Sequence, residues 1–361
     1  MNRSKFLKTA GALLPLSLCG KNALLGATGT SQNLPSDTDQ PLDSANAAFR
    51  SASTIPPYLK KGDCIGITSP SGHIQYKELL PAIQRIKSWG LTFKTGQTIG
   101  LKDGTFGGTD QQRTVDFQRM LEDPDIKAIL CARGGYGAIR IIDRIDFSSL
   151  NKNPKWIIGF SDATVFHIHI AHNYHLATLH SKMCNSFPDN WEKATPQQRA
   201  TIDSIRDALM DTKKMHYQSL MNPMNRLGSA EGELIGGNMR TIENLSGTRS
   251  SLEAAGKILF LEETHEYLYN MDRMLWNLER SGQLKHLKGL IIGAMIRTPQ
   301  RNADDELNKS IYELVMEKVK DFTYPVTFDF PVGHIVENYA LKCGVPHRLE
   351  VTTIGTTLRE S

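Results

Sequence analysis

The stretch Lys127–Arg140, KAILCARGGYGAIR, decides the predicted fold of this chain. Its apolar part, from Ala128 to Ala132, has the length and composition of a buried strand. The glycines that follow remove the steric penalty of a sharp turn, and the isoleucines beyond them predict a helix. Two interpretations of the turn stay open. It is either a tight connection without a ligand, or a corner whose backbone N–H groups bind an anion or an oxyanion.

Strands alternate with helices on both sides of this stretch. The runs Cys64–Thr68 and Lys155–Gly159 are short, apolar and followed by small polar residues, as at the carboxyl edge of a parallel sheet. We therefore predict the α/β fold class. We predict an N-terminal α/β domain over residues 55–186, a linker with one helix over 187–230, and a C-terminal β/α domain over 231–361.

The N-terminus has the pattern of an export signal. Residues 1–27 combine a basic start, an apolar segment too short to span a bilayer, and small residues suited to cleavage. We predict a signal peptide there and a disordered spacer over residues 28–54. Cys19 lies in a sequence faintly similar to a lipoprotein box. The protein is therefore expected to be exported, either into the periplasm or anchored to the membrane at the cell surface.

Charge and cysteine content exclude several classes of function. The formal net charge is +4, and residues 1–27 contain four basic side chains and no acidic one, so the remaining chain has a net charge of 4 − 4 = 0. A neutral chain gives no indication of a nucleic-acid partner. The cysteines are scattered without a C-x-x-C pair, so we predict buried thiols and no metal site.

A series of motifs in a fixed order resembles one enzyme family. The motifs are S-P-S-G from Ser69, C-A-R-G-G-Y-G from Cys131, I-I-G-F-S-D-A-T from Ile157, G-E-L-I-G-G-N from Gly232, I-L-F-L-E-E from Ile258 and F-P-V-G-H from Phe330. They resemble the LD-carboxypeptidases of serine peptidase family S66, which also contains the microcin C immunity peptidases. The resemblance covers roughly residues 58–355.

This resemblance implies a fold and an activity. It implies an N-terminal flavodoxin-like parallel sheet domain, a C-terminal swivelling β/α domain, and assembly into a homodimer. It implies a Ser-His-Glu triad, without metal or cofactor, that removes the terminal D-residue from an L,D-bond. The expected substrate is a muropeptide or another peptide, typically a murein tetrapeptide that ends in D-alanine.

The acid and the base of the triad match residues of this chain. Glu262 follows the predicted strand Ile258–Leu261 and matches the glutamate, and His334 in F-P-V-G-H matches the histidine. Glu263 and Glu266 stay open as alternatives for the acid. The carboxylate is expected within hydrogen-bond reach of the His334 ring.

The nucleophile is assigned by the same resemblance to Ala138, which has no hydroxyl group. If this assignment holds, Ala138 is exposed on a strained turn and faces His334. Ser161, Ser69 and Ser71 are possible substitutes. The alternative function is a catalytically impaired pseudo-peptidase that binds peptidoglycan peptides. The residues expected to bind substrate are Ser71, Arg133, Gly134, Gly135, Tyr136, Ser161 and Asp162.

Overall fold

The computed structural model describes residues 53–302 and 306–361. The predicted signal peptide and most of the predicted spacer lie outside these residues. Of the spacer, Ser53 and Thr54 are described, and Thr54 forms a bridge with Leu176 through backbone hydrogen bonds. The ordered fold therefore begins slightly earlier than the sequence predicts. No helix within the described ranges has both the length and the apolar character needed to cross a membrane.

The first sheet has six strands in the order β11-β5-β4-β3-β1-β2. Five of them are parallel, and their order β2-β1-β3-β4-β5 is that of flavodoxin-like proteins. The predicted fold class is thereby confirmed. The strands are β1 (Cys64–Thr68), β2 (Thr92–Thr95), β3 (Ile126–Cys131), β4 (Trp156–Gly159), β5 (Thr178–His180) and the antiparallel edge strand β11 (Leu341–Cys343).

Four helices accompany this part of the chain: α1 (Tyr76–Ser88), α2 (Asp110–Glu122), α3 (Thr164–Tyr174) and α4 (Pro196–Met210). Capping boxes start α2 at Thr109 and α4 at Thr195, because each threonine accepts from the N–H three residues on. The helix predicted directly after the glycine turn is not found. Residues 138–140 and 142–144 form two short 3₁₀ turns, consistent with the low helix propensity of the isoleucines there.

The second sheet has seven strands in the order β10-β9-β8-β7-β12-β13-β6. Its parallel part contains β7 (Gly228–Asn238), β8 (Ile258–Glu266), β9 (Gly289–Arg297) and β10 (Val326–Thr327). Its antiparallel part contains β6 (His216–Leu220), β12 (Pro346–Val351) and β13 (Gly355–Glu360). The accompanying helices are α5 (Met239–Leu245), α6 (Leu268–Arg280) and α7 (Ile311–Lys318).

The two sheets share a hydrophobic core. One apolar cluster contains Ile129 and Phe166 of the first half together with Leu261 and Ile292 of the second. Strand β11 belongs to the C-terminal part of the sequence but pairs with β5 of the first sheet. This packing places the loop between β10 and β11 beside the carboxyl ends of β4 and β5.

Candidate active site

The site lies where the parallel strands of the first sheet end. The segments after β1, β3, β4 and β5 all leave the sheet at its carboxyl edge, where α/β proteins bind ligands. The buried Arg113 joins two of these segments, since its Nη1 donates to the carbonyl oxygens of Pro70 (2.5 Å) and Gly137 (2.9 Å). Ser69 Oγ donates to the Gly72 carbonyl at 2.5 Å and so closes the turn after β1.

Ala138 does not have the surroundings of a nucleophile position. The expectation that it is exposed and strained is wrong: its relative exposure is 0%, and its backbone is not in the left-handed region. Its N–H donates to Asp162 Oδ2 at 2.8 Å, and its methyl group belongs to the hydrophobic core. The positive φ angles of this turn are at two glycines, Gly135 (100°) and Gly137 (145°), which adopt them without steric penalty. The side chain of Ala138 therefore packs in the hydrophobic core and does not face a substrate.

Ser161 occupies the sharp turn between β4 and α3. Its φ is +61°, a left-handed conformation that is uncommon for a residue other than glycine. A β-carbon added at Gly159 would lie 2.8 Å from Ala163 Cβ, so the chain on the two sides of Ser161 approaches too closely for a larger residue. The sequence Gly159-Phe160-Ser161-Asp162-Ala163 follows the G-x-S-x-G pattern of nucleophile elbows, except for alanine in the last position.

The glycine turn after β3 lies directly beside the Ser161 side chain. The side chain is partly buried, and a β-carbon added at Gly134 would lie 3.3 Å from its Oγ. Gly134 thus leaves open the space beside the hydroxyl, while its carbonyl accepts from Gly72 N–H at 3.0 Å. The next glycine, Gly135, is exposed with φ of +100°. The glycine turn therefore forms one wall of the space around Ser161.

Glu262 and His334 form the second part of the site. His334 Nδ1 lies 2.6 Å from Glu262 Oε2, which confirms the predicted contact. The carboxylate is an acceptor, so Nδ1 carries the proton and Nε2 is left as the basic nitrogen. Glu262 is fully buried, whereas His334 remains partly exposed. The His334 ring packs against the Phe160 ring with centroids 4.8 Å apart, and Phe160 directly precedes Ser161.

Strand irregularity explains how Glu262 reaches the histidine. The sequence predicts that Glu262 follows the strand, but the structure has it within β8. The pairing of β8 with β9 shifts between Leu261 and Glu263. Such a bulge redirects side chains, and here both Glu262 and Glu263 are buried. Gly333 has φ of +111°, and a β-carbon there would lie 2.9 Å from Glu262 Oε2. The absence of a side chain at 333 therefore makes room for the carboxylate.

The two neighbouring glutamates are engaged elsewhere. Glu263 accepts from Asn238 Nδ2 at 2.9 Å and from the N–H of Arg240 at 2.7 Å, and burial raises the pKa of its carboxyl. Glu266 accepts from the Arg240 guanidinium at 2.9 and 3.0 Å. Both carboxylates are thus engaged by Asn238 or Arg240, whereas Glu262 contacts His334, so the geometry favours Glu262 as the acid.

The remaining predicted binding residues have different roles. Asp162 is buried beneath the glycine turn; burial raises the pKa of its carboxyl, and the Ser71 hydroxyl and the Ala138 N–H oppose that rise. Arg133 is exposed, and its Nη1 donates to the His73 carbonyl at 3.0 Å, which braces the turn. Tyr136 is 49% exposed, and its ring packs against the Phe106 ring with centroids 5.6 Å apart.

Lys182 is a site residue that the sequence analysis did not identify. It follows β5, is partly buried, and donates from Nζ to the Ile335 carbonyl at 2.6 Å. Its Nζ also lies 5.5 Å from the centroid of the Phe160 ring. A lone lysine after a short strand carries no spacing signal. The one signal in the sequence is that Lys182 follows β5 as Ser161 follows β4, at the same edge of the sheet.

Comparison with known families decides the classification. The model of the LD-carboxypeptidase N-terminal domain matches residues 65–181, and the model of the C-terminal domain matches residues 231–349. This chain belongs to the LD-carboxypeptidase family. The resemblance noted from the motifs is thereby confirmed, and carboxypeptidase relatives support a hydrolase activity on peptides.

Individual relatives of this LD-carboxypeptidase family member align over most of its length. It is 31% identical over 291 residues to a probable murein peptide carboxypeptidase of Bacillus subtilis, covering 80% of this chain and 89% of the relative. It is 26% identical over 292 residues to the murein tetrapeptide carboxypeptidase of Pseudomonas aeruginosa, covering 79% and 92%. The crystal structure of muramoyltetrapeptide carboxypeptidase from Oxalobacter formigenes matches with a TM-score of 0.73 and 25% identity, covering 82% and 98%.

Proposed function

We propose that this protein is a serine-type LD-carboxypeptidase that removes the terminal D-alanine from murein tetrapeptides, with Ser161 as nucleophile. The observation that carries the proposal is the pairing of Glu262 with His334 beside the turn that holds Ser161. Ser161 replaces Ala138 in this assignment. The murein peptide substrate is suggested by the names of the two relatives described above.

Each residue has a defined role in the proposed reaction. His334 Nε2 takes the Ser161 Oγ proton as Oγ bonds to the scissile carbonyl carbon, and Glu262 stabilises the imidazolium. His334 then gives this proton to the leaving nitrogen as the C–N bond breaks and D-alanine departs. Water then bonds to the acyl carbon as the ester bond to Ser161 Oγ breaks, its proton passes through His334 to Oγ, and the shortened peptide leaves as a free acid. In this proposal the N–H of Asp162, the residue after the nucleophile, stabilises the oxyanion.

The first experiment measures D-alanine release. Purified protein is incubated with the murein tetrapeptide, and the products are identified by mass spectrometry. We expect release by the unmodified protein and a loss of at least roughly 10³-fold in Ser161→Ala. Ser69→Ala is the matched control, since its hydroxyl closes a turn at the same sheet edge. Absence of release by the unmodified protein would favour the alternative function, a protein that binds peptidoglycan peptides without cleaving them.

We further propose that the protein acts outside the cytoplasm and as a homodimer. The basis for export is the sequence of residues 1–27. Cell fractionation with N-terminal sequencing of the mature chain tests it, and recovery of the intact N-terminus in the cytoplasm would contradict it.

Sedimentation of the purified protein measures the oligomeric state, and a monomer at all concentrations would contradict the dimer.

A further inference from the structure

Lys182 lies at the same sheet edge as the proposed nucleophile. Strands β4 and β5 are parallel neighbours, paired through Ile158 with Leu179 and Gly159 with His180. Ser161 follows β4 by two residues, and Lys182 follows β5 by two residues. The side chain of Met183, next along the chain, approaches the same space beside Gly134 as Ser161 does.

The ammonium group of Lys182 contacts both segments that carry the reacting groups. Its Nζ donates to the carbonyl of Ile335, which directly follows His334, and it lies over the ring of Phe160, which directly precedes Ser161. The Phe160 ring in turn packs against the His334 ring. Lys182 is therefore a cation in contact with the sequence neighbours of both the base and the nucleophile of the proposed reaction.

This cation lacks a full set of partners. An ammonium group has three N–H donors, and among the described residues the Ile335 carbonyl is the acceptor that Nζ reaches. The Glu262 carboxylate acts on Lys182 through space, while its own Oε2 is taken by His334. Burial lowers the pKa of Lys182 to about 8. A partly buried charge without a paired anion is costly, so an anionic ligand there would be stabilised.

A carboxypeptidase must bind the terminal carboxylate of its substrate close to the bond that it cleaves. In a peptide that ends in D-alanine, the terminal carboxylate carbon lies about 4 Å from the scissile carbonyl carbon, since one residue spans about that length. The group that binds this carboxylate must therefore be an immediate neighbour of the nucleophile and the base. Arg133, the cation expected from the sequence, is exposed and already donates to His73.

We propose that Lys182 binds the terminal carboxylate of the substrate and thereby restricts cleavage to the last residue of the peptide. This inference rests on the proposed function, because it assumes that Ser161 and His334 flank the scissile bond. Lys182 is then the residue that distinguishes a free C-terminus from a blocked or extended one. The remaining two N–H groups of Nζ suit a charge-assisted contact with the two carboxylate oxygens.

Binding to an uncleavable complex tests the proposal. Ser161→Ala protein is titrated calorimetrically with the murein tetrapeptide and with the same peptide carrying a C-terminal amide. We expect the acid to bind roughly 10-fold or more tightly than the amide, since the amide lacks the charge that Lys182 receives. Adding Lys182→Met should remove this preference mainly by weakening binding of the acid, and Lys182→Arg should retain most of it.

Each other outcome identifies a different error. If Lys182→Met weakens acid and amide equally, Lys182 only holds the segment after His334, and the inference is wrong. If Arg133→Met removes the preference and Lys182→Met does not, Arg133 is the carboxylate-binding residue. If neither peptide binds to the Ser161→Ala protein, the proposed function itself fails. Thermal unfolding of each variant checks folding, and Lys182→Gln replaces Lys182→Met with the same readout if the latter does not fold.

Discussion

At the scale of single residues, the site depends on which small side chain is exposed and which is buried. Ser161 has a left-handed backbone and a partly buried side chain, whereas Ala138 is fully buried with its N–H bound to Asp162. The family resemblance predicts the nucleophile at Ala138, directly after the glycine turn, and both this turn and the turn after β4 follow strands of the first sheet. The backbone conformation separates the two positions.

A serine at position 138 is therefore not expected to restore activity. In a protein that also carries Ser161→Ala, Ala138→Ser should leave D-alanine release at background, because the new hydroxyl lies in the hydrophobic core. A buried hydroxyl without a partner should lower the free energy of unfolding by about 1–3 kcal/mol. Urea unfolding measures the cost. Recovered activity in the double variant would return the nucleophile position to 138.

At the scale of secondary-structure elements, the Glu262–His334 pair joins two segments. Glu262 lies at the register shift between β8 and β9, and His334 lies in the loop after β10. Gly293 of β9 lies opposite this bulge, and a β-carbon there would lie 2.4 Å from Val332 Cγ1. The segment Phe330–Val332 continues along β9 through backbone hydrogen bonds with Ile292 and Ala294. Two glycines thus allow one loop to carry its histidine against a buried glutamate.

Gly333→Ala should disrupt this arrangement. The added methyl group would lie 2.8 Å from Glu262 Cβ, so the carboxylate must move away from His334. We expect kcat for D-alanine release to fall by roughly 10²-fold, the effect of misplacing a catalytic group by about 1 Å. Gly247→Ala is the matched control, since Gly247 also has a positive φ but has no atom within 4 Å of the added carbon. It should cost about 1 kcal/mol of stability and leave kcat unchanged.

At the scale of the whole molecule, the regular elements were largely predictable and the site was only partly so. The parallel strands and the capped helices follow local patterns, and Thr109 and Thr195 start helices as their spacing predicts. Strands β6, β11 and β13 have no clear local pattern, and they form by pairing with segments distant in the sequence. The Glu262–His334 contact came from family resemblance. The roles of Ser161, Lys182 and Gly333 depend on conformations and distances that sequence spacing does not encode.

The buried histidines should make the free energy of unfolding depend on pH. Burial lowers the pKa of His167 and of His347 to about 4, below the value of about 6.5 expected in the unfolded chain. Between these values the unfolded state binds more protons, so the free energy of unfolding falls as the pH drops from about 6.5 to 4. We expect a loss of about 1–3 kcal/mol per histidine, measured by urea unfolding. In His347→Gln the free energy of unfolding should depend less on pH. If its pH dependence were unchanged, the protonation of His347 would not be its cause.

The position of β11 has a consequence for how the chain is made. Five strands of the first sheet are encoded before residue 181, but the sixth, Leu341–Cys343, covers the outer edge of β5 and lies near the C-terminus. While the chain grows on the ribosome, that edge lacks this partner until Leu341–Cys343 has emerged. An uncovered strand edge favours association with other chains. The first sheet is therefore completed only after strands β6–β10 of the second sheet have been synthesised, so the two sheets cannot fold strictly one after the other.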